Sequence, residues 1–220
     1  MKIAILGSAP SSLSLAPYED ASWEMWGCSP GAAAHVRRAS VWFELHRWGQ
    51  DWLTDSYRQF LAKVPTVYMI EPVPEVPNSV AYPKDEMLAE FGPYFFTSTP
   101  AWMLAFAISQ QPEEIGIWGI DMAATDEYAL QKPGCIRFIE IAKARGIKIT
   151  VPNESDLLRP TPLYGFSEAS PMMTKLLARK AELQRRLDHN LSQTDAMVRE
   201  GMFLKGALDD LEYVLGTWAS

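Results

Sequence analysis

The chain is poor in cysteine, in histidine and in cationic excess, and each shortage removes a class of function. Its 220 residues hold two cysteines, Cys28 and Cys135, too few and too far apart for a disulfide framework or a zinc cluster, which fits a reducing compartment. Lys and Arg number 20 against 27 Asp and Glu, a formal net charge of -7. No broad basic field therefore draws the chain onto nucleic acid or an anionic membrane. Nowhere do roughly 18 apolar residues run together, and Met1-Lys2 leads straight into a strand-like segment rather than a signal leader. The expected location is the cytoplasm.

What the chain does have is alternation. Met1 to Leu6 is an apolar run that stops at Gly7-Ser8-Ala9-Pro10-Ser11-Ser12. Trp23 to Gly27 stops at Cys28-Ser29-Pro30-Gly31, and Ser40 to Leu45 stops at His46-Arg47. Each carries the punctuation of a buried strand entering a tight turn. Trp52, Leu53, Tyr57, Phe60 and Leu61 have helical spacing, and Thr66 to Ile70 reads as another strand. Pro72, Pro74 and Pro77 predict a surface loop over Glu71 to Pro83, because proline cannot donate to a ladder. Thr97-Ser98-Thr99-Pro100 is a helix start, with capping hydroxyls and a first-turn proline. That helix is predicted to reach about Gln110 and is apolar almost all round, as a buried helix is. A strand over Glu114 to Ile120, a helix over Ile136 to Arg145 and a strand over Ile147 to Val151 follow. Strands alternating with helices predict a doubly wound α/β domain with a mostly parallel sheet flanked by helices.

The last fifty residues differ. After Pro171 no proline occurs, and Leu204, Leu208, Leu211, Leu215 and Trp218 step by four and three, with a weaker stripe at Leu183, Leu187 and Leu191. One helix here would be ~73 Å long at 1.5 Å per residue. It is expected either to turn near Asn190 to Asp195 as a helical hairpin or to pair as a coiled coil in a homo-oligomer. The two domains expected are 1–166 and 167–220.

Several residues could carry chemistry. Gly7 to Ser11 is a small-residue loop after a strand, able to cradle an anion with backbone N–H groups and hydroxyls. It lacks a GxGxxG fingerprint and the Lys-Ser/Thr ending of a P-loop. Asp121 follows a buried strand and so falls on the edge where open α/β sheets bind ligands. It could bind a ribose hydroxyl, hold a divalent metal with Asp126 and Glu127, or act as a base. His46 and Arg47 offer an acid–base group beside a planar phosphate fork. Trp42, Phe43 and Trp48 around them fit a structural histidine equally well. Lys132 could reach a phosphate.

Gly7-Ser8-Ala9-Pro10-Ser11, Cys28-Ser29-Pro30, Phe96-Thr97-Ser98-Thr99-Pro100-Ala101 and Ile115-Gly116-Ile117-Trp118-Gly119-Ile120-Asp121-Met122, in that order, resemble a Rossmann-like superfamily. Its members are the bacterial family-42 sialyltransferases and the archaeal hydroxymethylpterin pyrophosphokinase-like proteins, and the resemblance covers roughly residues 1 to 160. Trp42-Phe43-Glu44-Leu45-His46-Arg47-Trp48, Gly119 to Thr125 and the helical tail look closer to a group of tailed-phage proteins, which would put the chain in the host cytoplasm. The resemblance implies a nucleotide or nucleotide-sugar pocket at Gly7, Pro10, Ser11, Cys28, Ser29, Thr97, Ser98, Asp121 and Tyr128, with Ser8 joining them as part of the anion-cradling loop. Ser8 and Cys28 stand where those enzymes carry asparagines. No histidine occurs between 47 and 188, where theirs carry a late histidine base, so His46 or Asp121 is the expected base. The resemblance implies nucleotide binding with glycosyl- or phosphoryl-type transfer. A non-catalytic nucleotide-sequestering protein and a structural or assembly protein using its tail stay open beside it.

Overall fold

In the computed structural model, each apolar run that ends in small or polar residues becomes a strand of one sheet. The structure describes residues 1–49, 53–122, 126–160, 163 and 171–218, and the chain divides into two compact units, Met1–Arg159 and Pro160–Ser220. The predicted boundary at residues 166 and 167 lies outside the described residues.

The first unit has strands β1 (Lys2–Leu6), β2 (Trp23–Cys28), β3 (Val41–Glu44), β4 (Thr66–Met69), β5 (Ser79–Ala81), β6 (Glu114–Trp118) and β7 (Lys148–Thr150). They lie in the order β5-β4-β3-β2-β1-β6-β7, and every neighbouring pair is parallel. Parallel neighbours need crossovers, which pack on both faces. A 3₁₀ turn at Leu13–Leu15, α1 (Pro30–Ala33) and α2 (Asp55–Leu61) cover one face. The other is covered by α3 (Lys84–Phe91), α4 (Thr99–Ser109) and α5 (Asp126–Ala144). This is a doubly wound, Rossmann-like α/β arrangement. The chain builds outward from β1 to β5, then returns to lay β6 on the other side of β1. The order reverses between β1 and β6.

Burial on both faces explains the unbroken apolar runs. Ile3 and Ile5 pack with Ile115, Ile117, Phe106 and Ile139, while Ala4 and Leu6 pack with Leu13, Trp23 and Trp118. α4 buries Met103, Leu104, Ala105, Phe106, Ala107 and Ile108 in succession, each large side chain contributing about 1.5–3 kcal/mol. Ser98 starts it by accepting a hydrogen bond from Ala101 N at 3.3 Å, and such a cap contributes about 1 kcal/mol. Thr54 begins α2 in the same way, accepting from Tyr57 N at 3.3 Å.

At the amino edge, Glu114 joins three strands. Lys2 lies 3.7 Å and Lys148 3.0 Å from its carboxylate, and Thr150 donates to it. Burial alone would raise the Glu114 pKa, but the Thr150 and Lys148 hydrogen bonds and the charges of Lys148 and Lys2 outweigh it and hold the carboxyl below its ordinary value. This edge is tied shut by structural ion pairs.

Three expectations are corrected. The proline-rich stretch predicted as loop contains β5, and α3 follows it. β5 is an edge strand paired only with β4, and its three residues lie between Pro77 and Pro83 rather than on a proline. α5 begins ten residues before the predicted Ile136 and contains Pro133. In the second unit, α6 (Pro171–Trp218) is one helix of 48 residues that runs unbroken through Asn190 to Asp195, which removes the hairpin form. Ser192 donates to His189 O at 2.8 Å and Thr194 to Asn190 O at 2.9 Å. Their hydroxyls thus bond back along the helix instead of turning it. Among the described residues, no helix is long and apolar enough to cross a membrane.

Candidate functional site

Parallel strands deliver the loops after β1, β2, β3 and β6 to a single edge, and the crevice opens where the strand order reverses. There the first loop continues the β1–β6 ladder beyond the strands. Gly7 N donates to Trp118 O at 2.9 Å and Ala9 N to Gly119 O at 2.8 Å. Glycine is required on both sides. A Cβ on Gly7 would stand 2.4 Å from Gly119 O, and one on Gly119, whose φ is +68°, would stand 2.6 Å from Gly7 O. Ser12 is fully buried, and its Oγ accepts from Gly119 N at 2.9 Å. Ser11, half-buried beside it, donates its hydroxyl to Asp121 Oδ1 at 2.8 Å. Ser155 secures the same loop from the other side by donating to Ile120 O at 2.8 Å. Gly7, Ser11 and Asp121, nominated separately by the sequence, therefore form one cluster at the switch point.

The turn after β2 adjoins this cluster. A Cβ on Gly31 would lie 3.3 Å from Ser8 Cβ and 3.7 Å from Ser29 Oγ, so the exposed Ser8 and the half-buried Ser29 flank one small space. Ser29 has φ 77° and Met122, after Asp121, has φ 50°. Side chains seldom adopt such angles, and residues held there concentrate at functional sites. Pro10 is exposed on the same loop. Cys28 points elsewhere: it is buried and donates its thiol to Leu6 O at 3.7 Å. Burial, reinforced by the charge of Glu44, pushes that thiol up to about 12. Only its backbone reaches the edge.

At the end of β3 the structure shows a feature the sequence reading missed. Glu44 is 1% exposed, yet its carboxylate receives three hydrogen bonds. Tyr57 OH donates to Oε2 at 2.6 Å, His46 N donates to Oε1 at 3.1 Å, and His46 Nδ1 lies 2.6 Å from Oε1. Trp42 Nε1 in turn donates to Tyr57 OH at 2.8 Å. Since an ionised carboxylate can only accept, Nδ1 carries the proton in this pair. Burial, and then the adjoining Glu44 charge, raise the Tyr57 pKa well above its ordinary value, so the phenol stays a donor. The alternation of β3 sends Trp42 and Glu44 to the α2 face and Phe43 to the α4 face. His46 and Arg47 both lie exposed at the strand's end. An acid closing an apolar strand two residues before a histidine is the available signal, akin to the acid just after a buried strand that marks Asp121.

The other nominees are engaged elsewhere. Thr97 donates to Gln131 O at 3.3 Å, and Ser98 lies 3.8 Å from Cys135 Sγ besides capping α4. Lys132 donates to Asp156 O at 2.7 Å. These three fasten the α4 and α5 starts and the 152–157 loop to one another. Tyr128, Asp126 and Glu127 belong to the first turn of α5, and their side chains lie outside the described residues. Among the described residues, no three histidine, cysteine, aspartate or glutamate side chains converge as a metal site.

A cavity of about 590 Å³ opens on the same edge beyond β3. Leu45, Ile70, Tyr82 and Trp102 wall it, and Glu71, Lys84, Asp85 and Glu86 line it as well. Tyr82 is fixed by donating its hydroxyl to Trp102 O at 2.8 Å, and Trp102 stacks on Phe96 with centroids 3.9 Å apart. The volume is that of a small-molecule site, with an apolar wall and a few polar groups. Part of its lining, Tyr82 just after β5 and Lys84, Asp85 and Glu86 of α3, lies at elements absent from the sequence-based reading.

No protein-family model matches the chain, and no curated protein matches it. Among solved structures the chain is similar to thiamine pyrophosphokinase from Bacillus subtilis, at 19% identity and a TM-score of 0.44 over 69% of this chain, and it spans 60% of that protein's length. It is also similar to the sialyltransferase CstII from Campylobacter jejuni in complex with the substrate analogue CMP-3FNeuAc. There the identity is 16% and the TM-score 0.48, over 78% of this chain and 86% of that one. For the same enzyme with cytidine-5'-monophosphate the values are 15% and 0.48, over 80% and 98%.

Proposed function

We propose that this chain, of the phage-type group its motifs resemble, binds a nucleotide or nucleotide sugar along the carboxyl edge of its sheet and transfers a glycosyl- or phosphoryl-type group. The observation that carries the reading is the cluster at the switch point. Gly7 and Gly119 let two backbones approach there, and Ser11 fixes an oxygen of Asp121 at 2.8 Å. Ser8 and Ser29 border the space a phosphate would fill, with Pro10 exposed on the loop that carries Ser8, and the exposed Arg47 supplies a cation two strands away. From β1 to β4 is three strand spacings, about 14 Å. A nucleotide with an attached group spans that distance, from the glycine loop to the cavity beside Trp102, and a lone phosphate does not.

In this reading His46, aligned by Glu44, or Asp121 takes a proton from an incoming hydroxyl. The oxygen forms the new bond, and the nucleotide phosphate leaves with the electron pair of the bond that breaks. Calorimetry with nucleoside mono- and diphosphates and nucleotide sugars tests the binding, and chromatography of the incubated ligand tests the turnover. Absence of binding across the set removes the proposal. Binding with the ligand recovered intact leaves a nucleotide-sequestering protein in its place. An assembly role through the tail is favoured by one observation, the exposed leucines of α6, and concerns that element alone.

A further inference from the structure

Among the described residues, α6 carries an exposed apolar seam: Leu183, Leu187, Leu204, Leu208 and Leu211 are 48% to 60% exposed. The two stripes noted in the sequence share one seven-residue frame, from which only Leu191 departs. Lys180, Leu187, Thr194, Gly201 and Leu208 occupy its first seam position, and Leu183, Asn190, Met197, Leu204 and Leu211 its second. Six of these ten positions are Leu or Met, and an apolar seven-residue repeat is the pattern of two helices supercoiled along their seams.

The charges are arranged against the helix's own dipole. Residues 171–190 carry Lys175, Arg179, Lys180, Arg185 and Arg186 against Glu182 and Asp188. Residues 191–218 carry Asp195, Glu200, Asp209, Asp210 and Glu212 against Arg199 and Lys205. The first turn has no acid and the last turn no base, whereas an isolated helix is stabilised by the reverse. A basic first half and an acidic second half become favourable when a neighbouring helix runs the opposite way.

We propose that α6 pairs with α6 of a second copy of this chain, antiparallel, with the two-fold axis between Asp195 and Ala196. In that register the seam closes in complementary layers, each occurring twice by symmetry. Leu183 meets Leu208 of the partner subunit and Leu187 meets Leu204 of the partner subunit. Lys180 lays its stem along the partner's Leu211, and Thr194 meets the partner's Met197. Asn190 faces the partner's Gly201, which gives that glycine a reason: within its own chain a Cβ there would have nothing within 4 Å. Leu191 and the partner's Val198 extend the apolar contact beside the axis. Parallel pairing in register would instead set Lys180 on Lys180, leave a gap between paired Gly201 residues and place Arg186 against Leu191. The pairing does not depend on any ligand of the α/β unit.

Light scattering and oxidative cross-linking of the full chain test it. The expected mass is twice that of one chain. Leu187→Cys and Leu204→Cys chains, co-expressed and distinguished by a tag, are expected to form a mixed disulfide under mild oxidation, while neither variant links to itself. The native thiols Cys28 and Cys135 are buried and serve as the unlinked control. Leu187→Cys linking to itself would overturn the antiparallel arrangement, and a single-chain mass would overturn the pairing. A Leu187→Asp/Leu208→Asp chain is expected to fall to single mass with the thermal transition of the α/β unit unchanged. A dimer that survives this change rejects the seam as the interface.

Discussion

Gly7 and Gly119 meet backbone to backbone where the strand order reverses, each so placed that a methyl group would strike the other's carbonyl oxygen. The contact sets how far the first loop can open. Gly119→Ala adds a strained positive φ to the clash, so it is expected to lose about 1–3 kcal/mol of stability and to abolish nucleotide binding. Gly7→Ala keeps an ordinary φ but puts its methyl 2.4 Å from Gly119 O and 2.6 Å from Ile120 Cγ1, so it is expected to weaken the fold as well as the binding. Urea melts and calorimetry on the two variants check both effects. Equal affinity in both variants and the unmodified protein would show that the glycine pair does not frame the ligand site.

Ser11 and Ser12 are neighbours with opposite expected phenotypes. Ser11→Ala removes a half-buried bond to Asp121, worth about 0.5–1.5 kcal/mol, and is expected to reduce nucleotide affinity several-fold with little change in Tm. Ser12→Ala leaves the buried Gly119 N–H without its acceptor and is expected to cost about 1–3 kcal/mol in a denaturant melt. Affinity unchanged in both Ser11→Ala and Asp121→Ala would count against the proposed site.

Glu44 is expected to act on chemistry only through His46. Glu44→Gln keeps the size of the side chain but offers His46 Nδ1–H one neutral oxygen in place of a carboxylate. His46→Ala and Glu44→Gln should each lower turnover, and the double variant should fall no further than His46→Ala alone. Residues that act as a unit couple in this way. Fully additive losses would separate the two residues.

Alkaline instability should follow from the buried thiols. Burial pushes both Cys28 and Cys135 up to about 12, from an ordinary value of 9.0. Between these values the unfolded chain releases thiol protons that the folded chain keeps, so stability declines as pH rises above about 9, by about 1.4 kcal/mol per pH unit for each thiol. The raised Tyr57 and Tyr82 phenols act in the same direction above their ordinary value of 10.0. Cys135→Ala is expected to flatten the limb between pH 9 and 12 in a series of urea melts. An unchanged slope would mean that the thiol ionises as readily in the folded chain as in the unfolded one.

The elements legible in the sequence were those written by burial. Six of the seven strands end where an apolar run meets a small or polar residue, and α4 is announced by Ser98 and Pro100. β5 and α3 were hidden because three-residue edge strands carry little hydrophobic signal and prolines near them read as a loop. α5 was read too short because Pro133 resembles a barrier, although the helix continues across it. Of the site, Gly7, Ser11 and Asp121 could be nominated one by one, but their meeting depends on β6 pairing with β1. The sharing of the Glu44 carboxylate with Tyr57 is not legible locally, because the two lie thirteen positions apart and meet only when α2 packs on β3. Thr97 and Lys132, by contrast, had the right chemistry in the sequence and spend it on packing α5.

The position of β1 between β2 and β6 also bears on how the chain must be made. Its second partner lies more than a hundred residues downstream, so a growing polypeptide carries Ile3 and Ile5 on a bare strand edge until Glu114 to Trp118 has been synthesised. Such long-range parallel pairing is slow to form and exposed to aggregation meanwhile. Truncation before Glu114 would leave that central edge permanently open. The chain's most vulnerable moment during synthesis thus ends with the event that assembles the glycine contact.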